Sequence, residues 1–459
     1  MSRWTRTLLL VALLWLAGCD RGVPADNDPV PRPTGSDQQP VTAQQPAPTA
    51  SAFSVAVPLA RSGDSQTRQD TGRSEGPYPG PAASATSPPT TATASPTPAA
   101  TPTPAFPVYR GPALDPARLG VQIHLHREDL NQLMTHLKTL GVGWVKVQVS
   151  WKIYQPEPER YDWDRLAELD ALIAAAEGAN IRVMLGVAKA PEWSRPTTTL
   201  DGPPIDNGRF QSFMAWLAER YRGRVAAYEL WNEPNLAREW TGMALNAAAL
   251  VDLIRAGAAG VRLADPDAVI ISAAPATTGI NDGVSAIDDR LYLQQMLAAD
   301  VAEVVDAVGA HPYGWANPPD SSAAAPDPAV PSHNNHPSFF FSDTLTDYRA
   351  LLVAAGHPNL PIWVTEFGWG SYDGMQAAVP EAVAYMAHVN EQQQAVYILK
   401  AYQLAQEWAG IGPLILWNLN FAPTFGTAFP ESAYSLLRPD GSPRPAYHAL
   451  GTLTDPPNE

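Results

Sequence analysis

The chain has 459 residues, 45% of them apolar, which is enough for one large domain with a sizeable core. Its formal charge of −16 excludes nucleic acid as the main partner, because phosphate recognition needs clustered Lys and Arg. A single cysteine, Cys19, excludes an internal disulfide and a thiolate zinc site.

Arg3 and Arg6 precede an apolar run from Leu8 to Leu16, followed by Ala17, Gly18 and Cys19. A charged start, a short apolar segment and small residues before a cleavage point describe a secretory signal over residues 1–18. The run is shorter than the roughly 20 residues a membrane-spanning helix needs. Leu16-Ala17-Gly18-Cys19 resembles the bacterial lipobox, which implies lipid on Cys19. The chain is therefore expected to be exported, to the cell surface or the periplasm, and anchored to the bacterial membrane as a lipoprotein. Residues 19–110 are expected to form a disordered tether. They hold 18 of the chain's 47 prolines, and 82–105 is almost wholly Ala, Ser, Thr and Pro. Such a composition buries too little apolar surface to offset chain entropy.

From 111 to 455 the pattern changes. Strand-like apolar runs at 119–125, 144–149, 181–187, 226–231, 268–273, 305–310, 361–365 and 413–417 alternate with helical patterns. The helices are expected at 129–140, 163–175, 210–221, 244–263, 292–297, 345–354 and 391–408, with a last one after Pro445. Eight βα alternations predict an α/β fold, a closed (β/α)8 TIM barrel. An open doubly wound sheet fits less well, since no Gly-rich phosphate loop follows the first strand.

In such barrels chemistry gathers at the C-terminal strand ends. Those ends carry His124 and His126 (strand one), Trp151 (two), Lys189 and Trp193 (three), Asn232 and Glu233 (four), His311 and Tyr313 (six), Glu366 (seven), and Trp417 and Asn418 (eight). Glu233 ends Tyr228-Glu229-Leu230-Trp231-Asn232-Glu233, and Glu366 ends Trp363-Val364-Thr365-Glu366. The barrel brings both glutamates to one mouth. A carboxyl pair is what glycoside cleavage requires, one to protonate the leaving oxygen and one to attack the anomeric carbon or activate water.

This pattern resembles glycoside hydrolase clan A, the retaining TIM-barrel glycosidases, and most closely its families 39 and 5. The resemblance implies Glu233 as acid/base and Glu366 as nucleophile. It implies a sugar 2-hydroxyl contact for Asn232, a contact with the nucleophile for Tyr313 in His311-Pro312-Tyr313, and a platform under the sugar for Trp417. Trp151 and His124 join these as substrate-binding candidates, and Trp193, Trp240, Trp315 and Trp369 as further platforms. Many clan members carry an arginine on strand two; here Lys146 and Gln148 occupy it. A retaining enzyme needs carboxyls roughly 5–5.5 Å apart, and Glu233 is expected to hold the proton with a raised pKa. The expected partner is a carbohydrate, cut at a β-O-glycosidic bond as by a β-xylosidase, β-glucosidase or endoglucanase. No cofactor or metal is called for, and a monomer is expected. Two other classes compete. His124-Leu125-His126 mimics the paired histidines of metal-dependent amidohydrolase barrels, but strands five and eight lack the remaining ligands. A non-catalytic carbohydrate-binding lipoprotein would keep the cleft and need neither glutamate.

Overall fold

The computed structural model describes residues 106–427 and 429–455. The signal segment, Cys19 and the Pro-rich stretch as far as residue 105 lie outside the described residues.

Eight strands form one all-parallel sheet: β1 (Leu119–Ile123), β2 (Trp144–Ser150), β3 (Arg182–Ala188), β4 (Ala227–Leu230), β5 (Val269–Ser272), β6 (Val308–Ala310), β7 (Ile362–Phe367) and β8 (Ile411–Leu416). Their order, β5-β4-β3-β2-β1-β8-β7-β6, is that of a barrel opened only between β5 and β6. That gap is bridged by the parallel contacts Ile271 to Ala307 and Ala276 to His311. Gly309 permits the approach, since a Cβ there would stand 2.5 Å from the Ser272 carbonyl oxygen. The structure is the expected (β/α)8 TIM barrel.

The helices follow the strands as α1 (Leu130–Leu140), α2 (Trp163–Gly178), α3 (Asn207–Arg220), α4 (Ala247–Ala264), α5 (Asp289–Ala298), α6 (Phe341–Ala354), α7 (Glu391–Glu407) and α8 (Pro445–Leu450). Sequence explains the starts of most. Asp129, Asp162, Asp206, Asn246, Asp288 and Asn390 each accept a backbone N–H of the first turn. At Asn390 the side chain of Gln393 reciprocates, completing a capping box. Gly141 closes α1 in the left-handed conformation, φ 65°, which its missing Cβ allows at little cost. Helix α5 begins three residues before the amphipathic pattern does, because the Asp288 cap, not an apolar contact, sets its first turn.

Inside the barrel the strands contribute two unlike layers. At one level of the interior Trp144, Met184, Ala227, Ile271, Ala307 and Ile415 form a small apolar cluster of their own. Two residues further along β2 and β4, on the same face, stand Lys146 and Glu229, with Gln122 of β1 in register beside Lys146, all three buried. Outward-facing Val121, Val145, Val147, Leu185 and Leu230 pack instead against the helices in the main core.

The segment before β1 belongs to this domain earlier than its composition suggested. Tyr109 is buried and its N–H donates to Thr452 Oγ1 at 3.0 Å. The Phe106 ring stacks on His448 at 5.1 Å, and the Leu114 N–H donates to the Leu453 carbonyl at 2.8 Å. Residues 106–110, assigned to the tether, are thus packed on the C-terminal end of the chain.

Candidate active site

Immediately after β4 the backbone turns sharply. Trp231 and Glu233 both take positive φ, 86° and 43°, around Asn232. Side chains seldom adopt this region without surrounding support. Here the Glu233 N–H is held by the Ala274 carbonyl at 3.1 Å, and Trp231 is buried. The turn delivers the Glu233 carboxyl into the barrel mouth. Glu366 reaches the same place from the end of β7, where the register against β8 shifts between Val364 and Phe367.

Between them lies His311, wholly buried after β6. Its Nδ1 is 3.2 Å from Glu233 Oε1 and 3.9 Å from Glu366 Oε2. The two carboxyls are therefore no further apart than those two distances laid end to end. Its Nε2 faces Glu229 Oε1 at 3.8 Å, a charge contact beyond hydrogen-bond reach. Tyr313 donates its hydroxyl to Glu366 Oε2 at 3.0 Å. Lys146 Nζ lies 3.2 Å from Glu366 Oε1, 2.7 Å from Glu229 Oε2 and 3.1 Å from the Thr365 carbonyl. The Gln122 amide, in the orientation that satisfies both neighbours, donates to Glu366 Oε1 (3.1 Å) and accepts from Trp417 Nε1 (3.0 Å). Trp417 directly follows β8, and its peptide bond to Asn418 is cis. Its ring meets Tyr313 and Tyr434 edge-on at 6.3 and 5.5 Å.

Four of these participants were not singled out from sequence: Glu229, Arg238, Gln122 and Tyr434. Arg238 Nη2 donates to Glu233 Oε2 at 2.9 Å from the turn that follows β4. Lys146 was noted only as the occupant of the clan's arginine position. Its ammonium now bridges Glu229 and Glu366. One signal was available, since Gln122, Lys146 and Glu229 are polar residues inside apolar strands at matching depth. Gly186 makes their meeting possible, because a Cβ there would stand 3.1 Å from both Glu229 Oε2 and Lys146 Cε.

The electrostatics reverse one expectation. Burial alone would keep Glu233 protonated, but the His311 hydrogen bond and the Arg238 charge outweigh it and lower its pKa below the usual value. Burial likewise opposes a charge on His311, yet Glu366, Glu229 and Glu233 raise it to about 9. The surrounding charges thus favour a proton on His311 over one on Glu233. Glu229, despite burial, is drawn down to about 2 by Lys146. Tyr313 is pushed well up, by burial first and then by Glu366.

Other candidates are placed less favourably. Asn232 is half-buried beside Glu233. His124 sits after β1 between the edges of Phe421 and Phe425, at 5.2 and 5.0 Å. Trp151 is 0% exposed, correcting its reading as a substrate contact. It lies in a one-turn helix, Trp151–Tyr154, stacks on Phe213 at 5.3 Å, and donates Nε1 to Gln155. No ring face is open to a sugar. Trp240 and Trp369 are buried in the same way, whereas Trp193 lies under the Arg209 guanidinium and Trp315 stacks on His333 at 4.5 Å. His126 contacts Arg165, and among the described residues no group of three His, Cys, Asp or Glu has metal-site geometry. The ligand set that an amidohydrolase reading needs does not assemble.

A barrel whose fourth and seventh strands deliver glutamates to one histidine matches what the family comparison finds. The cellulase model, glycosyl hydrolase family 5, matches residues 115–403, and the chain belongs to that family. A family 39 glycoside hydrolase from Bacteroides cellulosilyticus WH2 shares the fold, with TM-score 0.55 and 19% identity over 74% of this chain and 63% of that one. GH5_18 from Streptomyces cattleya, solved with Manβ1-4GlcNAc, gives 0.53 and 16% over 73% and 80%. The exo-β-1,4-mannosidase Op5Man5 from an Opitutaceae bacterium gives 0.51 and 16% over 74% and 59%. The chain thus spans less than two thirds of the first and third of these structures. No curated protein matches in sequence.

Proposed function

We propose that this chain is a retaining glycoside hydrolase that cleaves β-O-glycosidic bonds of an oligo- or polysaccharide by double displacement, with Glu366 as nucleophile and Glu233 as acid/base. The observation that carries the reading is the placement of both carboxyls within 4 Å of one buried imidazole nitrogen. Separations of roughly 5–5.5 Å allow direct attack, and roughly 6.5–9.5 Å would admit an intervening water. The limit that His311 sets on the nearest oxygens is compatible with the shorter class and supports direct attack. Lys146, Tyr313 and Gln122 aim three donors at Glu366, which fixes its attacking oxygen. In this reading Asn232 and Trp417 meet the sugar beside it. Within this reading the partner is a carbohydrate, and Cys19 carries the lipid that tethers an exported, monomeric enzyme to the membrane.

The test is a pair of variants assayed on aryl β-xylosides, β-glucosides and β-mannosides. Glu366→Ala should lose about 10⁵-fold or more in kcat, as removal of a nucleophile does. Glu233→Ala should lose about 10²–10⁴-fold on poor leaving groups. It should lose far less on dinitrophenyl glycosides, and azide should restore it as the β-glycosyl azide. Proton NMR of the first-formed sugar should show the β anomer. An α product from a β substrate would remove the nucleophile role from Glu366. Cell fractionation of Cys19→Ser should show release from the membrane; retention there overturns the anchor.

A further inference from the structure

His311 is surrounded by charge from every side that approaches it. Glu229 and Glu233 come from β4, Arg238 from the turn beyond it, Glu366 from β7, Lys146 from β2, and Tyr313 from its own strand. The segment after β5 adds only uncharged residues, Ala274 and Ala276, at the closing seam. Three carboxylates thus face two permanent cations in a buried pocket, and the neighbouring Glu239, 3.6 Å from Arg238, joins Asp201, Lys152 and Lys189 in a cluster of two carboxylates and two cations that leaves this difference unchanged. One carboxylate lacks a counter-charge, and the imidazole touching all three is the group placed to supply it. Uncompensated buried charge is strongly disfavoured, so the pocket favours a state in which the count is even.

We propose that His311 stores the proton that Glu233 delivers, and that it gains and loses this proton in step with the negative charge on Glu366. The inference rests on the roles given above to the two glutamates. In the first step a Glu366 oxygen bonds to the anomeric carbon, and the bond to the leaving oxygen breaks with its electron pair. The His311 Nδ1 proton passes to Glu233 Oε1, and the Glu233 carboxyl delivers a proton to the leaving oxygen, so Glu233 ends the step ionised, as it began. Glu366, now an ester, has lost its charge, and His311 has lost its own. In the second step water bonds to the anomeric carbon while the ester bond breaks and returns its pair to Glu366. The proton released by water passes through Glu233 to Nδ1. At both resting points the six charged groups sum to zero. His311 acts through Glu233 and does not itself touch the sugar.

The test needs no substrate. Glu366→Gln reproduces the loss of charge that the ester brings, in nearly the same shape. In protein labelled with ¹⁵N-histidine, the His311 ring nitrogens, assigned by their loss in His311→Asn, should read as imidazolium at pH 7 in the wild type. In Glu366→Gln the titration midpoint should fall by at least about one unit, the shift expected from removing an opposite charge at this range. A neutral His311 in the wild type, or the same midpoint in both proteins, overturns the proposal. A second readout comes from activity. In His311→Asn, whose amide can still donate to Glu233 but cannot carry a proton, the basic limb of kcat/KM should move to lower pH for a poor leaving group. It should stay in place for a dinitrophenyl glycoside. An unmoved limb for both sinks the storage role while leaving the azide result on Glu233, and with it the glutamate roles, untouched.

Discussion

The two layers inside the barrel come from the same strands, two residues apart, yet they differ in kind. Trp144 and Met184 belong to an apolar cluster, while Lys146 and Gly186, next along the same faces, belong to a charged one. The lower layer gains from burial at about 25 cal/mol per Å². The upper layer spends some of that gain, because removing ions from water costs more than most pairs return. A cluster that stability does not require is instead suited to holding Glu366 and Glu233 in place. The contrast predicts that changes in the lower layer alter stability alone, and changes in the upper layer alter both stability and turnover.

The largest effect should come from Lys146→Met. It strands Glu229 and Glu366 without their shared cation, and breaking a buried pair costs about 3–5 kcal/mol. Chemical denaturation should show that loss, and Glu229→Gln added to it should restore part of the stability. A single variant as stable as the wild type would show the bridge to be incidental. Gly186→Ala should come next. Its Cβ would press on both members of the bridge at 3.1 Å, an overpacking cost of about 1–3 kcal/mol. Activity should fall with stability, since Lys146 moves with its partner.

A pH effect follows in size. The His311 pKa stands above its ordinary value in the folded chain, burial being outweighed by Glu366, Glu229 and Glu233. Its contribution to stability is therefore complete below about 6.5, the unfolded value, and is lost as pH rises through about 9. Melting temperature should decline across that window, and the decline should flatten in Glu366→Gln. Equal slopes in the two proteins would contradict the assignment. The smallest effect belongs to Met184→Leu in the lower layer, less than about 1.5 kcal/mol, with kcat unchanged. A marked fall in kcat would dissolve the distinction between the layers.

Much of this was legible in the chain. The alternation of apolar runs and helical patterns marks all eight strands, because each is buried on its outer face whatever it carries inside. Glu233 and Glu366 stand out by their positions at strand ends. The partners of Lys146 were harder to see, since which inward residues meet depends on strand stagger rather than on spacing within one strand. Trp151 misled for a local reason. A tryptophan just beyond a strand end looks like a rim platform, but the single helical turn that begins there folds it onto Phe210 and Phe213. The charge balance around His311 was invisible because its six members come from β2, β4, β7, the end of β6 and the turn after β4, which only the fold brings together. The sequence pattern also placed the domain start a few residues late, because Tyr109 and Phe106 find their partners only at the far end of the chain.

That early clasp carries a consequence for access. Residues 109–114 are held against Thr452 and Leu453, and the Pro116 carbonyl accepts from Gly143, just ahead of β2. The chain therefore enters at the floor of the barrel, beside its own exit, while the glutamates occupy the opposite rim. Phe106 and Tyr109 thus fasten the first described segment to the last on the side away from the glutamates, so this clasp can strengthen or loosen without touching the rim where the site opens.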